Sequence, residues 1–242
     1  MAGYCGDCPM NPFFTQARSR LVPLLLSLAL ASAACAQSPS ADEILKAARL
    51  SPMSQQGNLS AELQTEDGRT PFTISLDKGV VSYTFTNPDQ QLQLVLGEDG
   101  SELRERAGGK SAEVKPARYD VKVRGTAVTY EDLSLKLLYW PKPKLIGEDT
   151  IRSRKAWKLE IQAPKGQSQY GVARLWIDKE SGAALRIEGY DKDGYLVKRF
   201  EMTSAQKING QWMLKTMRVE SYDPQTHKVA DRTYLKVLGE AK

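Results

Sequence analysis

Apolar and polar residues alternate along most of the chain between Leu59 and Leu238. Such alternation places apolar side chains on one face of a strand and polar side chains on the other. Turn signals such as Asp191-Lys192-Asp193-Gly194 and Asn209-Gly210 recur at intervals of about 8 to 12 residues, which is typical of antiparallel hairpins. The pattern therefore predicts a mainly β fold of about ten or eleven strands, and a sheet of that size curls into a barrel or half-barrel.

Two segments have a helical rather than an alternating pattern. Residues 41–50 are preceded by Ser40, a suitable N-cap, and followed by Pro52, which ends the predicted helix. Apolar residues also recur at helical spacing in residues 133–140. Both segments are too short to be stable alone, so we expect them to pack on the apolar, concave face of the sheet, the second as a plug or lid.

The N-terminal residues have the features of a secretory signal peptide. Two arginines precede an apolar run from Leu21 to Ala31, and Ala34-Cys35-Ala36 forms a cleavage site. We predict a signal peptide over residues 1–36 and a single mature domain over residues 37–242, located in the periplasm. Met10, which is followed by a normal basic region, is an alternative start.

The cysteines leave one alternative open. Cys5 and Cys8 form a C-x-x-C pair, but they precede the signal and have no second pair, so no metal or redox site is predicted. Ser32-Ala33-Ala34-Cys35 resembles a degraded bacterial lipobox. Lipidation of Cys35 would anchor the protein to the outer membrane instead of releasing it after Ala36.

The charge pattern argues against one class of main partner. The formal net charge is +5, and charges of both signs are interleaved along the predicted strands, which argues against nucleic acid. Basic residues do cluster between residues 142 and 158, at Lys142, Lys144, Arg152, Arg154, Lys155 and Lys158. This cluster fits either a membrane surface or acidic partner, or an ordinary solvated sheet face and loop.

The sequence offers no convincing catalytic or metal-binding group. The one histidine, His227, lies in a predicted exposed turn. The acidic pairs Glu131-Asp132 and Glu148-Asp149 are adjacent in sequence and would point to opposite sides of an extended chain. Asp191-Lys192-Asp193-Gly194 begins like a calcium loop but lacks the later ligands. We therefore expect a protein that is not an enzyme and needs no cofactor.

The apolar strand positions allow two interpretations. If the curled sheet closes on its own side chains, they form an ordinary core; if it closes partly, with a helix over its mouth, they line a cavity for acyl chains. Periodicity does not separate the two. The candidate lining residues are Leu45, Phe72, Ile74, Tyr83, Phe85, Leu92, Leu94, Leu133, Leu137, Trp140, Leu159, Ile177 and Ile187.

Several C-terminal segments carry a family resemblance. They are Gly125-Thr126, Tyr130-Glu131-Asp132-Leu133, Leu175-Trp176-Ile177-Asp178, Tyr190-Asp191-Lys192-Asp193-Gly194, Phe200-Glu201 and Asn209-Gly210-Gln211-Trp212. With them the chain resembles, over most of residues 41–237, the outer-membrane lipoprotein-sorting family related to LolA. The resemblance implies a periplasmic half-barrel of about eleven antiparallel strands, with helices on the concave side where lipoprotein acyl chains bind. In LolA an arginine near the cavity holds the lid helices closed; the sequence does not assign this role here, and Arg69 is one candidate.

These observations together predict a carrier rather than an enzyme. We expect a monomeric periplasmic protein whose ligands are lipid or lipoprotein acyl chains in transport to the outer membrane. A transport partner in the inner or outer membrane is compatible with this role, and nucleic acid is not. The alternative is an envelope structural or assembly accessory protein with the same fold, anchored through a lipid on Cys35.

Overall fold

The computed structural model describes residues 38–241. The predicted signal peptide, the alternative start at Met10 and all three cysteines, including Cys35, lie outside the described residues. Within them, the α-helices are α1 (Ala41–Met53) and α2 (Tyr130–Ser134), and 3₁₀ turns span Pro116–Arg118, Val123–Gly125 and Lys136–Tyr139. The strands are β1 (Gly57–Gln64), β2 (Arg69–Asp77), β3 (Val80–Thr86), β4 (Asp89–Leu96), β5 (Ser101–Ala107), β6 (Lys110–Glu113), β7 (Lys144–Ile151), β8 (Arg154–Gln162), β9 (Val172–Asp178), β10 (Ala184–Tyr190), β11 (Leu196–Ile208), β12 (Gln211–Tyr222) and β13 (Val229–Glu240).

All strands belong to one antiparallel sheet. Its order is β6-β5-β4-β3-β2-β1-β13-β12-β11-β10-β9-β8-β7, so the first and last strands of the chain pair in the middle of the sheet, and β6 and β7 form its edges. Because these edges are not paired with each other, the sheet is a curled, unclosed half-barrel. The predicted fold class is confirmed, and residues 38–241 contain thirteen strands instead of about eleven.

Helix α1 extends further than its sequence pattern predicts. Its start is as expected: Ser40 caps the helix and forms a capping box with Glu43. Pro52 does not end it but lies in the last turn, and the helix ends at Met53. The turn is completed by the Ser54 amide, which donates a hydrogen bond to the Leu50 carbonyl at 3.2 Å.

The chain between β6 and β7 contains the segment that we call the plug, residues 126–140. Here the single helical segment predicted over residues 133–140 is corrected to two short pieces. Helix α2 begins earlier, with Thr129 and Asp132 forming its capping box. It ends where Leu135 adopts the left-handed conformation with φ 50°, and a 3₁₀ turn follows. A left-handed residue interrupts the helical hydrogen-bond pattern, so the plug is bent instead of straight.

One apolar cluster unites the concave face of the sheet with both covering segments. Strand residues from β1 to β5 and from β8 to β13 join Ile44, Leu45 and Ala48 of α1, and Tyr130, Leu137, Leu138 and Trp140 of the plug. The predicted position of both helical segments on the sheet is therefore correct. The concave face is covered by two short, separate segments of the same chain.

The convex face has a cross-strand row of alternating charge in place of an apolar cover. The row consists of Glu160, Arg174, Glu188, Arg199, Glu220 and Arg232, one on each strand from β8 to β13. Three Arg–Glu pairs in this row have N–O distances of 2.9 Å. In the next row, burial would raise the pKa of Glu201, but the Arg186 guanidinium and its neighbours hold that pKa below its usual range. Opposite charges on adjacent strands stabilise a solvated sheet face.

Candidate ligand-binding site

Helix α1 covers the concave face with its apolar side. Ile44, Leu45 and Ala48 are buried and belong to the main core cluster. Next to this apolar side, Ala47 touches the β9–β10 turn, where a Cβ added at Gly182 would lie 3.4 Å from the Ala47 Cβ. Contacts of this kind hold the helix in place through side-chain packing, without a continuous main-chain hydrogen-bond network to the sheet.

Arg49 joins α1 to the plug. Its Nε donates a hydrogen bond to the Leu138 carbonyl at 2.7 Å, and its guanidinium carbon lies 4.7 Å from the centre of the Tyr139 ring. Arg69, the candidate named from the sequence, forms its ion pair with the sheet instead of with a covering segment. Its Nη1 is 3.8 Å from a Glu62 carboxylate oxygen, and its side chain is 65% exposed. Arg49, and not Arg69, is therefore the arginine that bridges the two covering segments.

The plug rests on the sheet partly through an ion pair. Lys198, on β11, has its Nζ 3.3 Å from Asp132 Oδ2 of the plug, and it also donates a hydrogen bond to the Ala127 carbonyl. Both side chains of the pair are nearly inaccessible, with 6% and 1% exposure. On the same concave side, the Thr233 hydroxyl accepts a hydrogen bond from the Ala127 amide at 2.9 Å. Lys198 and Thr233 thus form a set of polar contacts beneath one end of the plug, which we call the polar seat.

Tyr170 and Gln169 complete this polar seat from the β8–β9 loop. The Tyr170 hydroxyl donates to Asp132 Oδ1 at 2.5 Å, and the Gln169 amide donates to Glu131 Oε2 at 2.9 Å. Burial raises the pKa of Tyr170 well above its ordinary value and also raises the pKa of Glu131, despite the hydrogen bonds that Glu131 accepts. The pair Glu131-Asp132 is thus engaged in holding the plug.

The predicted lining residues lie together in the main core cluster. Tyr83 and Leu133 are partly buried and pack against it, and the other eleven are buried within it. Phe72 stacks on Phe85 with ring centres 5.0 Å apart, and burial raises the pKa of Tyr83 to about 12. In this closed arrangement the chain's own side chains occupy the concave face. Their contact with a ligand remains a prediction.

Clefts formed by residues 38–241 border the covered face. One, of about 320 Å³, lies where α1 meets β8 and β9, and is lined in part by Ile44, Trp157, Ile177 and Lys179. Here the Lys179 Nζ lies 3.6 Å from the centre of the Trp157 ring. A second cleft, of about 260 Å³, is polar and lies between Thr126, the β1–β2 turn and the start of β13. Of the predicted lining residues, Ile177 borders the first cleft.

The weaker candidates named from the sequence are accounted for by turns and ion pairs. His227 is exposed in a turn, where its ring stacks on Tyr195 at 4.3 Å. Glu148 pairs with Lys179, while Asp149 accepts a hydrogen bond from the Trp176 indole at 2.8 Å. Among residues 38–241, no group of three or more His, Cys, Asp or Glu is arranged to hold a metal ion.

The basic cluster is spread over two strands and their turns. Arg154 pairs with Asp178, Arg152 lies 3.3 Å from a Glu201 oxygen, and Lys158 lies over the Trp176 ring. Much of its charge is therefore engaged by neighbouring side chains. In the part of the chain that the structure describes, no helix has both the length and the apolarity needed to cross a membrane.

Sequence reasoning missed Lys198, Arg49 and Tyr170. One signal for Lys198 was available, because it lies two residues before Phe200 and therefore on the inward-facing side of β11. Arg49 and Tyr170 gave no comparable signal, since their partners are distant in sequence.

The fold is that of the LolA-like half-barrels. A DUF1329 family protein from Desulfovibrio piger aligns with a TM-score of 0.60 and 19% identity, over 81% of this chain and 90% of that chain. A putative outer membrane lipoprotein-sorting protein domain from Vibrio parahaemolyticus aligns with a TM-score of 0.63 and 17% identity, over 82% and 91%. A LolA superfamily protein from Nitrosomonas europaea aligns with a TM-score of 0.58 and 16% identity, over 83% and 92%. At these identities the likeness concerns the fold, and it confirms the resemblance noted in the sequence.

Sequence comparison assigns the family. Residues 110–237 match the model of a family described as "Uncharacterized protein". The match covers more than half of the chain, so the chain belongs to this family. No curated protein sequence matches it.

Proposed function

We propose that this protein is a non-enzymatic periplasmic carrier that binds acyl chains of lipids or lipoproteins on the concave face of its half-barrel. The observation that carries the proposal is the kind of cover on that face. Two short segments, α1 and the plug, bury the apolar surface, and each can be displaced without unpairing a strand. The closed arrangement is then the ligand-free state, and an acyl chain replaces the apolar side chains of the covering segments.

The apolar free energies on the two sides of such an exchange are similar. Helix α1 buries Ile44, Leu45 and Ala48, and a fully buried aliphatic side chain contributes about 1.5 to 3 kcal/mol. An acyl chain contributes about 0.8 kcal/mol for each methylene group that it buries, so ~10 methylenes contribute roughly 8 kcal/mol. This gain is comparable to the loss from displacing α1. The exchange needs no polar recognition to be near balance.

The structural relatives support the same role. One is described as a putative outer membrane lipoprotein-sorting protein domain and another as a LolA superfamily protein. We extend this role to the present chain as an expectation, with the transport direction and membrane partners included in the proposal.

The direct test measures whether the protein carries lipid. Native mass spectrometry of protein purified from its own envelope should detect bound lipid, and the delipidated protein should take up a fluorescent fatty acyl probe. A protein that is uniformly empty and also fails to bind the probe would overturn the proposal.

We further propose that the carrier is released into the periplasm after cleavage at Ala36. The intact mass of the mature protein tests this, because a chain beginning at Gln37 differs from one that begins at Cys35 and carries a diacylglycerol group. The second mass would favour the anchored accessory protein.

A further inference from the structure

The Lys198–Asp132 pair suggests which ligands the carrier accepts. Among residues 38–241, Lys198 is the one lysine or arginine whose residue is buried, at 5% exposure. It projects from the sheet, while its carboxylate partner Asp132 belongs to the plug. The charges of this ion pair are therefore supplied by two elements that must separate if the concave face is to open.

Replacing the plug by an uncharged ligand would be costly, because Lys198 would stay covered without a partner. A buried charge that loses its partner bears the full desolvation penalty, whereas an intact buried pair is close to neutral for stability. The pKa of Asp231 on β13 is lowered by Lys122, whose Nζ is 2.6 Å away, and also by Lys198, so Asp231 is near Lys198 but already paired. When Asp132 leaves with the plug and an acyl chain covers the concave face, an anionic group on that ligand restores a partner for Lys198.

We propose that Lys198 binds the negatively charged head group of the acyl ligand, a carboxylate or a phosphate, in exchange for Asp132. The inference rests on the proposed carrier function and specifies its ligand class. The acyl chain lies on the apolar concave face, and the head group occupies the position that Asp132 holds in the closed state. Asp132 is thus a built-in substitute for the ligand's anion.

The test compares two probes with the same acyl chain, of which one carries a charged head group and the other a neutral one. A dansylated fatty acid and its methyl ester are titrated into the purified full chain in mildly alkaline buffer, where the acid is ionised. The protein should prefer the acid by about tenfold, because a hydrogen bond to a charged group is stronger than one to an ester. Lys198→Met should abolish this preference, so that the variant binds the acid and the ester with about equal affinity. The same change at exposed Lys207, Lys207→Met, should preserve it.

Two further variants keep the test decisive. If Lys198→Met does not fold, the double variant Lys198→Met/Asp132→Asn removes both charges and leaves no unpaired buried ion; it should also bind acid and ester equally. Asp132→Asn alone should raise the affinity for both probes by a similar factor. The substitution weakens the closed state and leaves the ligand-bound state unchanged.

The outcomes separate the inference from the proposed function. If neither probe binds the wild-type protein, the carrier function itself is overturned. If both bind, but the wild type has no preference or Lys198→Met retains it, the head-group assignment alone is wrong. Competition separates the sources of the anion: a lysophosphatidic acid should displace the dansylated acid, and displacement by inorganic phosphate alone would contradict an acyl ligand.

Discussion

At the scale of single residues, Gly189 is required by the tyrosine that supports the plug. A Cβ at this position would lie 2.7 Å from two atoms of the Tyr170 ring, which is 3% exposed. We expect Gly189→Ala to lower the free energy of unfolding by about 1 to 3 kcal/mol, because the ring must shift and its bond to Asp132 weakens. Chemical denaturation measures the loss.

The matched control for this change is Gly100→Ala. No atom lies within 4 Å of a Cβ built on Gly100, so the same chemical change should leave stability nearly unaltered. Equal effects of the two substitutions would mean that the Tyr170 contact is unimportant.

Glu131 makes the stability of the folded protein depend on pH. Burial raises its pKa in the folded protein, while in the unfolded chain the group titrates at about 4.3. The folded state therefore binds more protons between these two values, and stability increases as the pH falls through that window. Above the folded pKa, the buried charge opposes folding.

Glu131→Gln should remove this dependence. We expect a higher free energy of unfolding at neutral pH and a smaller increase on acidification than in the wild type, measured by urea denaturation over a pH series. Glu98→Gln, at an exposed turn position, is the control and should follow the wild type. A glutamine variant less stable than the wild type at neutral pH would show that the charged form is favoured.

At the scale of elements, Arg49 couples α1 to the plug. We expect Arg49→Met to lower the free energy of unfolding by about 1 kcal/mol and to speed amide hydrogen exchange in α1, because it removes the bond to the Leu138 carbonyl. Arg69→Met is the control, since Arg69 is mostly exposed and pairs with Glu62. Unchanged exchange in the Arg49 variant would mean that packing alone holds the helix.

Elements with strict alternation were predictable, and those without it were not. In β2 and β4, Phe72, Ile74, Leu92 and Leu94 face inward in regular alternation, as predicted. Strand β5 has one buried residue, Leu103, among charged and polar neighbours. Edge strand β7 exposes nearly every side chain, so it has no buried face to leave a pattern. Strands of this kind, which lack a clear alternation of apolar and polar residues, account for the difference in strand count.

The sequence predicted the apolar residues of the candidate site but not its polar contacts. Inward-facing strand positions and the two covering segments follow from periodicity, because periodicity reports which side of an element is buried. The ion pair between Lys198 and Asp132 joins residues that are distant in sequence, and their meeting depends on how the plug crosses the sheet. The bend at Leu135, which directs that crossing, had no signal in the apolar spacing.

At the scale of the whole molecule, the carrier proposal requires α1 to leave the sheet. The added Cβ at Gly182 and the Ala47 Cβ are 3.4 Å apart, close to the spacing of a disulfide. In the chain beginning at Gln37, Ala47→Cys/Gly182→Cys should form a disulfide that fixes α1 to the β9–β10 turn. We expect the oxidised variant to lose uptake of the fluorescent acyl probe and the reduced variant to regain it.

The reduced form of the same variant controls for the substitutions themselves. Gly182 has φ 70°, so a cysteine there is strained, and the single variant Gly182→Cys measures that strain alone. Because a disulfide restricts motion without removing any apolar surface from the concave face, a loss of uptake would be due to the closed helix. Full uptake by the oxidised protein would mean that the acyl chain enters without displacement of α1, leaving the plug as the one segment that must move.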